Sequence, residues 1–546
     1  MNASNKQRVS LPIFVGSVVP VAVLVVILIG FPEQASATVD WLFGSLCSNF
    51  GWLFLGIVVC IAIFSLIVAI SPWGTIKLGG ADEKKQYSDF AWAAMLFTAG
   101  LGTALVVMSY IEPVMFMDSP PFGIERLSEE ALEFALVPDQ FLFGFLAWLV
   151  YIPGVIAVGL ALYVRREQKL RLSTACNPAI GEQSDKSLGA AIDVLGNVAV
   201  IGGISSALGL GVPIITTLIH KLTGIPEGLW LTLAVLLVWT AVFASSVYLG
   251  LDKGIKRLST FNVYLFGAVI IFVATVNPIG DAIHLWVSSL GLMLDNFGKL
   301  AFGVNAFGES DFTQNWVVFY WAWWLTYAPM MGLFVARISR GRTVRQIIGG
   351  MMVFGALACM MCFAWFGSYS VSLQHSGAVD LVSIFVEAGR EETFYAILET
   401  MPFAPAIEVA YIVLLFVFCA TSIDSTAYVL ASTCVDNLSG DEQPKRWMRM
   451  TWAILLLLFT LGLVLVGGLQ TLQTATVLTG LPMIAVVALL MAACVKGLKA
   501  ASRKDESSNT GFRVVGEADA AVQGIAAPTD QADQPSGAGT AHDSDA

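Results

Sequence analysis

Twelve stretches of roughly 20 or more mostly apolar residues recur along the 546-residue chain. They lie at approximately 11–32, 50–71, 90–117, 136–164, 188–220, 227–250, 259–277, 315–337, 345–373, 405–435, 450–470 and 474–498. About 20 such residues are what an α-helix needs to cross the hydrocarbon of a bilayer. Inside hydrocarbon each backbone N–H and C=O must be satisfied by the chain itself, which makes runs of this length helices. The fold class this implies is an all-α integral membrane protein with 12 transmembrane helices. Composition agrees: 57% of residues are hydrophobic and 13% charged, against roughly 45–50% and about 25% in soluble chains. A cytosolic enzyme, a nucleic-acid binder and a secreted disulfide scaffold are excluded on that ground. The lipid bilayer is the main solvent. The first stretch follows Lys6 and Arg8 and precedes Ala35-Ser36-Ala37, as a signal peptide would, but its apolar run is longer than the roughly 7–15 residues of a signal core. It counts as a span.

Lys and Arg collect on the cytoplasmic side of membrane proteins. With the N-terminus inside and the spans alternating, 25 of the 29 basic residues fall inside, and only Arg126, Lys221, Lys299 and Arg390 fall outside. One span more or fewer would scramble the pattern downstream, so both termini are expected in the cytoplasm, with the chain in the plasma (inner) membrane. The Arg337–Arg345 run reads as a cytoplasmic anchor rather than a phosphate site. The segment from Asp281 to Phe302 mixes Trp286, Leu290 and Leu294 with polar residues and reads as a surface amphipathic helix. Residues 505–546 hold eight acids and one Arg and read as a disordered acidic tail. Cys359 and Cys362 have CxxC spacing, but no second pair or nearby His completes a metal site, so they read as small buried hydrophobes.

Interruptions of apolar helices mark substrate sites in many secondary transporters. Span 3 contains Gly100 and Gly102 within Thr98–Ala104, and span 8 contains Pro329 and Gly332. The two are five spans apart, so their topologies are opposite. That is the arithmetic of a five-plus-five inverted repeat. It divides the chain into a two-helix addition (1–89), a first repeat (90–277, spans 3–7), an outer amphipathic helix and loop (278–314), a second repeat (315–504, spans 8–12) and the tail (505–546). The alternative is that the glycines only permit close helix packing.

Span 8 also carries Trp316, Phe319, Tyr320, Trp321, Trp323, Trp324 and Tyr327. Interfacial aromatics belong at helix ends, whereas Trp323, Trp324 and Tyr327 sit deep. Several rings around one pocket suit a quaternary ammonium group, which donates no hydrogen bonds but binds π faces, each contact contributing roughly 0.5–2 kcal/mol.

Phe319-Tyr-Trp-Ala-Trp-Trp-Leu-Thr-Tyr-Ala-Pro329, followed by Ala336-Arg-Ile-Ser-Arg-Gly-Arg-Thr-Val-Arg345, resembles the signature of the betaine/carnitine/choline transporter (BCCT) family. Spans 3–12 follow that family in register. The resemblance implies a LeuT-like fold, a homotrimer, and movement of small trimethylammonium compounds by alternating access. It implies an aromatic box in which Phe143, Trp148 and Tyr151 match a Trp-x4-Trp-x2-Tyr pattern, with the first Trp changed to Phe. Trp324 completes the box, and Trp321, Trp323 and Tyr327 on the same span, with Gly100 and Gly102, complete the expected substrate site. Ala104 stands where the family's glycine motif ends in Gly.

The resemblance further implies a Na⁺ site as the coupling-ion site, built from Thr421 and Ser422 with the backbone carbonyls of Ala99 and Leu101. Sodium-independent members carry an Arg on span 7 where this chain has Asn262. A second sodium site would need Thr hydroxyls where Val200 and Ile204 stand, and a Phe where Met330 stands. Thr421 and Ser422 could equally bond back to their own helix. A buried acid in a span is functional by default, which leaves a proton or gating role open for Asp424. Glu112, before Pro113, is expected to receive backbone donors. Sodium symport and sodium-independent exchange both stand as modes. An ion channel would need a repeated ring of carbonyls or like charges, which is not visible, and no nucleophile–base or metal set supports an enzyme: His220, His284, His375 and His542 all fall in outer loops or the tail.

Overall fold

The first apolar stretch forms the helix Leu11–Gly30, and a 39-residue helix, Pro32–Ile70, starts two residues later. Residues 33–49 were expected in an outer loop. They are helical because Pro32 occupies the first-turn position it favours and no Gly or Pro follows until Gly44. The computed structural model describes residues 7–79, 82–99, 102–167, 169–249, 255–303, 312–437 and 443–509. Among them the secondary structure is helical, apart from two isolated bridges, Val9 with Val435 and Lys77 with Thr343. Residues 1–500 form one unit; in the second, 501–546, the described residues belong to the end of the helix Leu469–Asn509.

Eight described helical segments are long and apolar enough to cross a membrane, or nine if the pair Thr260–Val276 and Ile279–Asp295, bent by 102°, is one span. The remaining expected spans take other forms. Span 3 is two helices, Asp89–Ala99 and Thr103–Asp118, separated by the glycine motif. Span 6 is the helix Leu229–Leu249, and span 8 is Phe319–Ile338, entered through a π-helical turn at Thr313–Val318. The amphipathic segment is helical as Ile279–Asp295 and Phe297–Phe302, with Ala282, Ser289 and Met293 turned inward and Val287 and Leu294 exposed.

Two expectations about interruptions are corrected. Span 8 is not broken at Tyr327–Gly332: Pro329 lies inside one continuous helix. Gly332 serves packing instead, since a Cβ there would sit 3.2 Å from backbone atoms of Gly154 on span 4. Membrane helices tolerate an interior Pro because neighbouring helices re-satisfy the freed groups. Span 4, expected to be continuous, is the broken one. It runs as Val137–Leu142, Phe145–Leu149 and Ile152–Gly159, then a π-helical turn. At its first break the chain folds back so tightly that a Cβ on Gly144 would lie 2.1 Å from the Gln140 carbonyl oxygen, so only glycine fits.

The polar outer segment after span 9 also forms a helix, Leu381–Glu399, N-capped by Asp380 and kinked at Gly389 (φ 87°). The Arg-rich segment is not only an anchor. Arg342 is 3% exposed; its guanidinium lies 4.0 Å from the Trp92 ring centroid and 2.6 Å from Asp89. Arg345 donates to the Ala69 carbonyl oxygen at the end of the second helix.

Candidate functional site

Spans 3, 4, 5, 7, 8 and 10 line a cavity of about 720 Å³, bordered by Gly102, Phe143, Trp148, Tyr151, Ile204, Asn262, Phe266, Tyr320, Trp323, Trp324, Tyr327, Met330, Thr421 and Ser422, among others. Tyr320, Trp323, Trp324 and Tyr327 are spaced i, i+3, i+4 and i+7, one helical stripe. Trp321 is on another face. It packs on Phe141 with centroids 5.4 Å apart and does not line the cavity. Tyr320, outside the expected site set, does line it; the stripe spacing was the signal that identifies it.

The break in span 4 aims the rings. Helix Val137–Leu142 ends at Leu142, and the freed Leu142 carbonyl accepts the Trp324 indole N–H at 3.0 Å. Trp324 meets Tyr151 at 5.4 Å, Trp148 at 6.0 Å and Phe143 at 6.0 Å between centroids. The four rings of the expected box are thus brought together as adjacent walls. Trp148 fits because position 355 is glycine: a Cβ there would stand 2.4 Å from its ring. Gly355 lies in a π-helical turn, Met351–Ala356. Trp323 is held by an indole bond to the Gly203 carbonyl oxygen at 3.1 Å and stacks on Phe319.

The lining also carries hydroxyls: Thr421, Ser422, Ser425 and Thr426. The Thr421 hydroxyl donates to its own helix at the Val417 and Phe418 carbonyl oxygens, 3.0 Å each, leaving a lone pair for a cation. Ala99 is the last residue of its helix, and Gly102, extended (φ −153°), caps the next. No described heavy atom lies within 4 Å of a Cβ built on Gly102. The fold does not demand glycine there, and its missing side chain leaves cavity free. Gly100 and Leu101 lie outside the described residues, as do residues 510–546 of the expected tail. At the positions of the expected second sodium site, Val200 and Ile204 are buried, and Thr426 bonds the Met330 sulfur at 3.7 Å.

The cavity reaches Arg337, Tyr428 and Ser432 at its Arg-rich end. At the other end aromatic contacts fill the space. Phe266 meets Phe366, which stacks on Tyr110 at 4.8 Å, and Tyr110 shares a 2.6 Å hydroxyl–hydroxyl bond with Tyr411. Glu112 is fully buried. It accepts the Tyr320 hydroxyl and faces the Asp139 carboxyl, so it holds a cavity wall rather than receiving backbone donors. Asp424 does not line the cavity. It pairs with Arg449 at 2.8 Å, both groups at most 2% exposed, so Arg449 is a buried counter-ion rather than a loop charge.

Long apolar helices packed around a cavity of aromatic faces and hydroxyls define a multi-pass membrane protein. The chain belongs to the betaine/carnitine/choline family of transporters, whose family model matches residues 12–503. It is 30% identical to an ectoine/hydroxyectoine transporter of Virgibacillus pantothenticus over 92% of this chain and 99% of that protein. It is 32% identical to a glycine betaine transporter of Bacillus subtilis, covering 84% and 88%. It is also 32% identical to a high-affinity choline transport protein of Escherichia coli, covering 86% of this chain and 69% of that protein.

Proposed function

We propose that this protein imports a quaternary-ammonium compound of the betaine, choline or carnitine type by Na⁺ symport through alternating access. The observation that carries this is the cavity in which Phe143, Trp148 and Tyr151 each stand within 6.0 Å of Trp324, in a lining that also carries hydroxyls. Ring faces attract a cation that cannot donate hydrogen bonds. Hard oxygens suit Na⁺, and Thr421, Ser422 and the carbonyls of Ala99 and Leu101 are the set that would hold it.

The architecture that goes with this function has twelve spans, both termini cytoplasmic, and spans 3–7 and 8–12 as inverted repeats after a two-helix addition. Three copies assemble in the inner membrane. On that orientation the cavity opens inward past Arg337 and is closed outward by Tyr110, Tyr411 and Phe366, the pattern of one state in an alternating cycle.

Uptake of radiolabelled glycine betaine, choline and carnitine into proteoliposomes, with and without an inward Na⁺ gradient, tests this. Saturable, gradient-driven accumulation of at least one is expected. Conductance without saturable uptake would instead indicate a channel, and full uptake without Na⁺ would indicate exchange.

A further inference from the structure

Asn262 is 2% exposed and lines the cavity, yet among the described residues neither its side-chain oxygen nor its nitrogen has a hydrogen-bond partner. An unpaired buried amide carries the full desolvation penalty of its polar atoms, so each instance needs a cause. The wall of a cavity supplies one when a ligand completes the bonds.

The position of Asn262 identifies the part of the ligand it meets. Its helix, Ile255–Val276, packs on Ala404–Thr433. Phe266 meets Phe418 at 6.0 Å. Asn277, just past the end of that helix, bonds Ser368 and the Trp365 carbonyl oxygen, beside the Phe366 that stacks on Tyr110. Tyr110 in turn bonds Tyr411, seven residues before Phe418. The two helices therefore run in opposite directions. Asn262, four residues before Phe266, comes level with Ser422, four residues after Phe418, each about 6 Å along its axis. The amide thus comes level with the Ser422 hydroxyl in the same cavity lining.

We infer that Asn262 is a specificity-determining residue that donates from its side-chain N–H₂ to the carboxylate of the substrate, so that the site selects carboxylate-bearing quaternary-ammonium zwitterions over choline. This rests on the quaternary-ammonium reading above and deepens it. A trimethylammonium head in the box leaves the other end of the same small molecule to the polar groups of the lining, Asn262 and Ser422 among them. A carboxylate there is taken out of water and needs donors. An amide presents two N–H donors to it, and the Ser422 hydroxyl presents another. Choline offers a neutral hydroxyl, whose bond to the same amide is the weaker kind.

The test is calorimetric binding of glycine betaine and of choline to the full-length protein in saturating Na⁺, repeated across a Na⁺ titration. The wild type is expected to bind glycine betaine more tightly. Asn262→Ala is expected to weaken glycine betaine at least tenfold, about 1.4 kcal/mol, and choline less than threefold. Asn262→Asp sets a negative charge against the carboxylate and is expected to abolish glycine betaine binding while retaining choline. Asn262→Ala should fold, because it removes an orphaned polar group rather than a bond, and its ratio of the two affinities carries the test should Asn262→Asp, which buries a charge, be unstable. Equal losses for the two ligands, or none, would overturn the assignment while leaving the transport reading intact. A changed Na⁺ half-saturation with an unchanged glycine betaine to choline ratio would overturn it too, assigning Asn262 to the cation. Binding of neither ligand by the wild type would overturn the quaternary-ammonium reading itself, and this inference with it.

Discussion

Trp324 joins the helix break to the cavity: its N–H is tied to the Leu142 carbonyl oxygen while its ring stands among Phe143, Trp148 and Tyr151. Trp324→Ala is therefore expected to weaken substrate binding at least tenfold, because a desolvated cation–π contact of about 2 kcal/mol exceeds the roughly 1.4 kcal/mol of one decade. Trp148→Ala should act similarly. Trp316→Ala is the control. That ring is 9% exposed and packs on Phe116 at 5.1 Å outside the cavity. Its loss should lower the melting temperature, since a buried aromatic truncated to Ala costs about 3–5 kcal/mol, and leave affinity unchanged. Equal affinity in Trp324→Ala and wild type, with the variant folded, would remove the box from the site. Deep aromatics, the Thr421-Ser422 pair and the glycine motif were legible in the sequence because residue type alone carries their chemistry. The partners of Glu112, Asp424 and Arg342 were not. Each lies on another helix, and spacing along one helix says nothing about what faces it.

At the scale of elements, eight or nine of the expected spans were legible because hydrophobic length is a local property, whereas the breaks in spans 4 and 8 were not. Pro329 and Gly332 look like a breaker pair, yet the helix Phe319–Ile338 runs through them, because the tertiary use of Gly332 is close approach to Gly154. Gly144 breaks span 4 for a reason visible only in three dimensions, the tight return onto the Gln140 carbonyl. Two variants test this. Pro329→Ala restores a donor in a continuous helix, where Pro costs about 3 kcal/mol relative to Ala. It should keep uptake and hold or raise the melting temperature. A folded Pro329→Ala protein that no longer transports would restore the broken-helix reading. Gly332→Leu should separate spans 4 and 8 and cost both stability and uptake. The helix Leu381–Glu399 escaped the sequence reading because Glu387, Arg390, Glu391 and Glu392 dilute its apolar residues, and because its kink at Gly389 interrupts the period.

At the scale of the whole molecule, charge distribution bears on regulation. The chain beyond Lys504 is acidic, and on the proposed orientation the inner leaflet's negative potential repels it. Removing residues 510–546 is expected to leave uptake, and its response to osmolality, within about twofold of wild type, an expectation read from transport at two osmolalities. Loss of an osmotic response would show that the segment acts through something other than charge. Coupling is the larger question. Thr421 and Ser422 line the cavity, while Val200 and Ile204 supply no oxygen and Met330 only a soft thioether already bonded by Thr426. On the proposed symport, one Na⁺ per substrate is expected, and one ion moving down ~100 mV contributes roughly 2.3 kcal/mol plus its concentration term. The most direct test is initial-rate uptake of glycine betaine or choline into proteoliposomes as a function of Na⁺. The expected result is a hyperbola with a Hill slope near one that collapses in Thr421→Ala/Ser422→Ala; a slope near two, or undiminished uptake in sodium-free buffer, would contradict it.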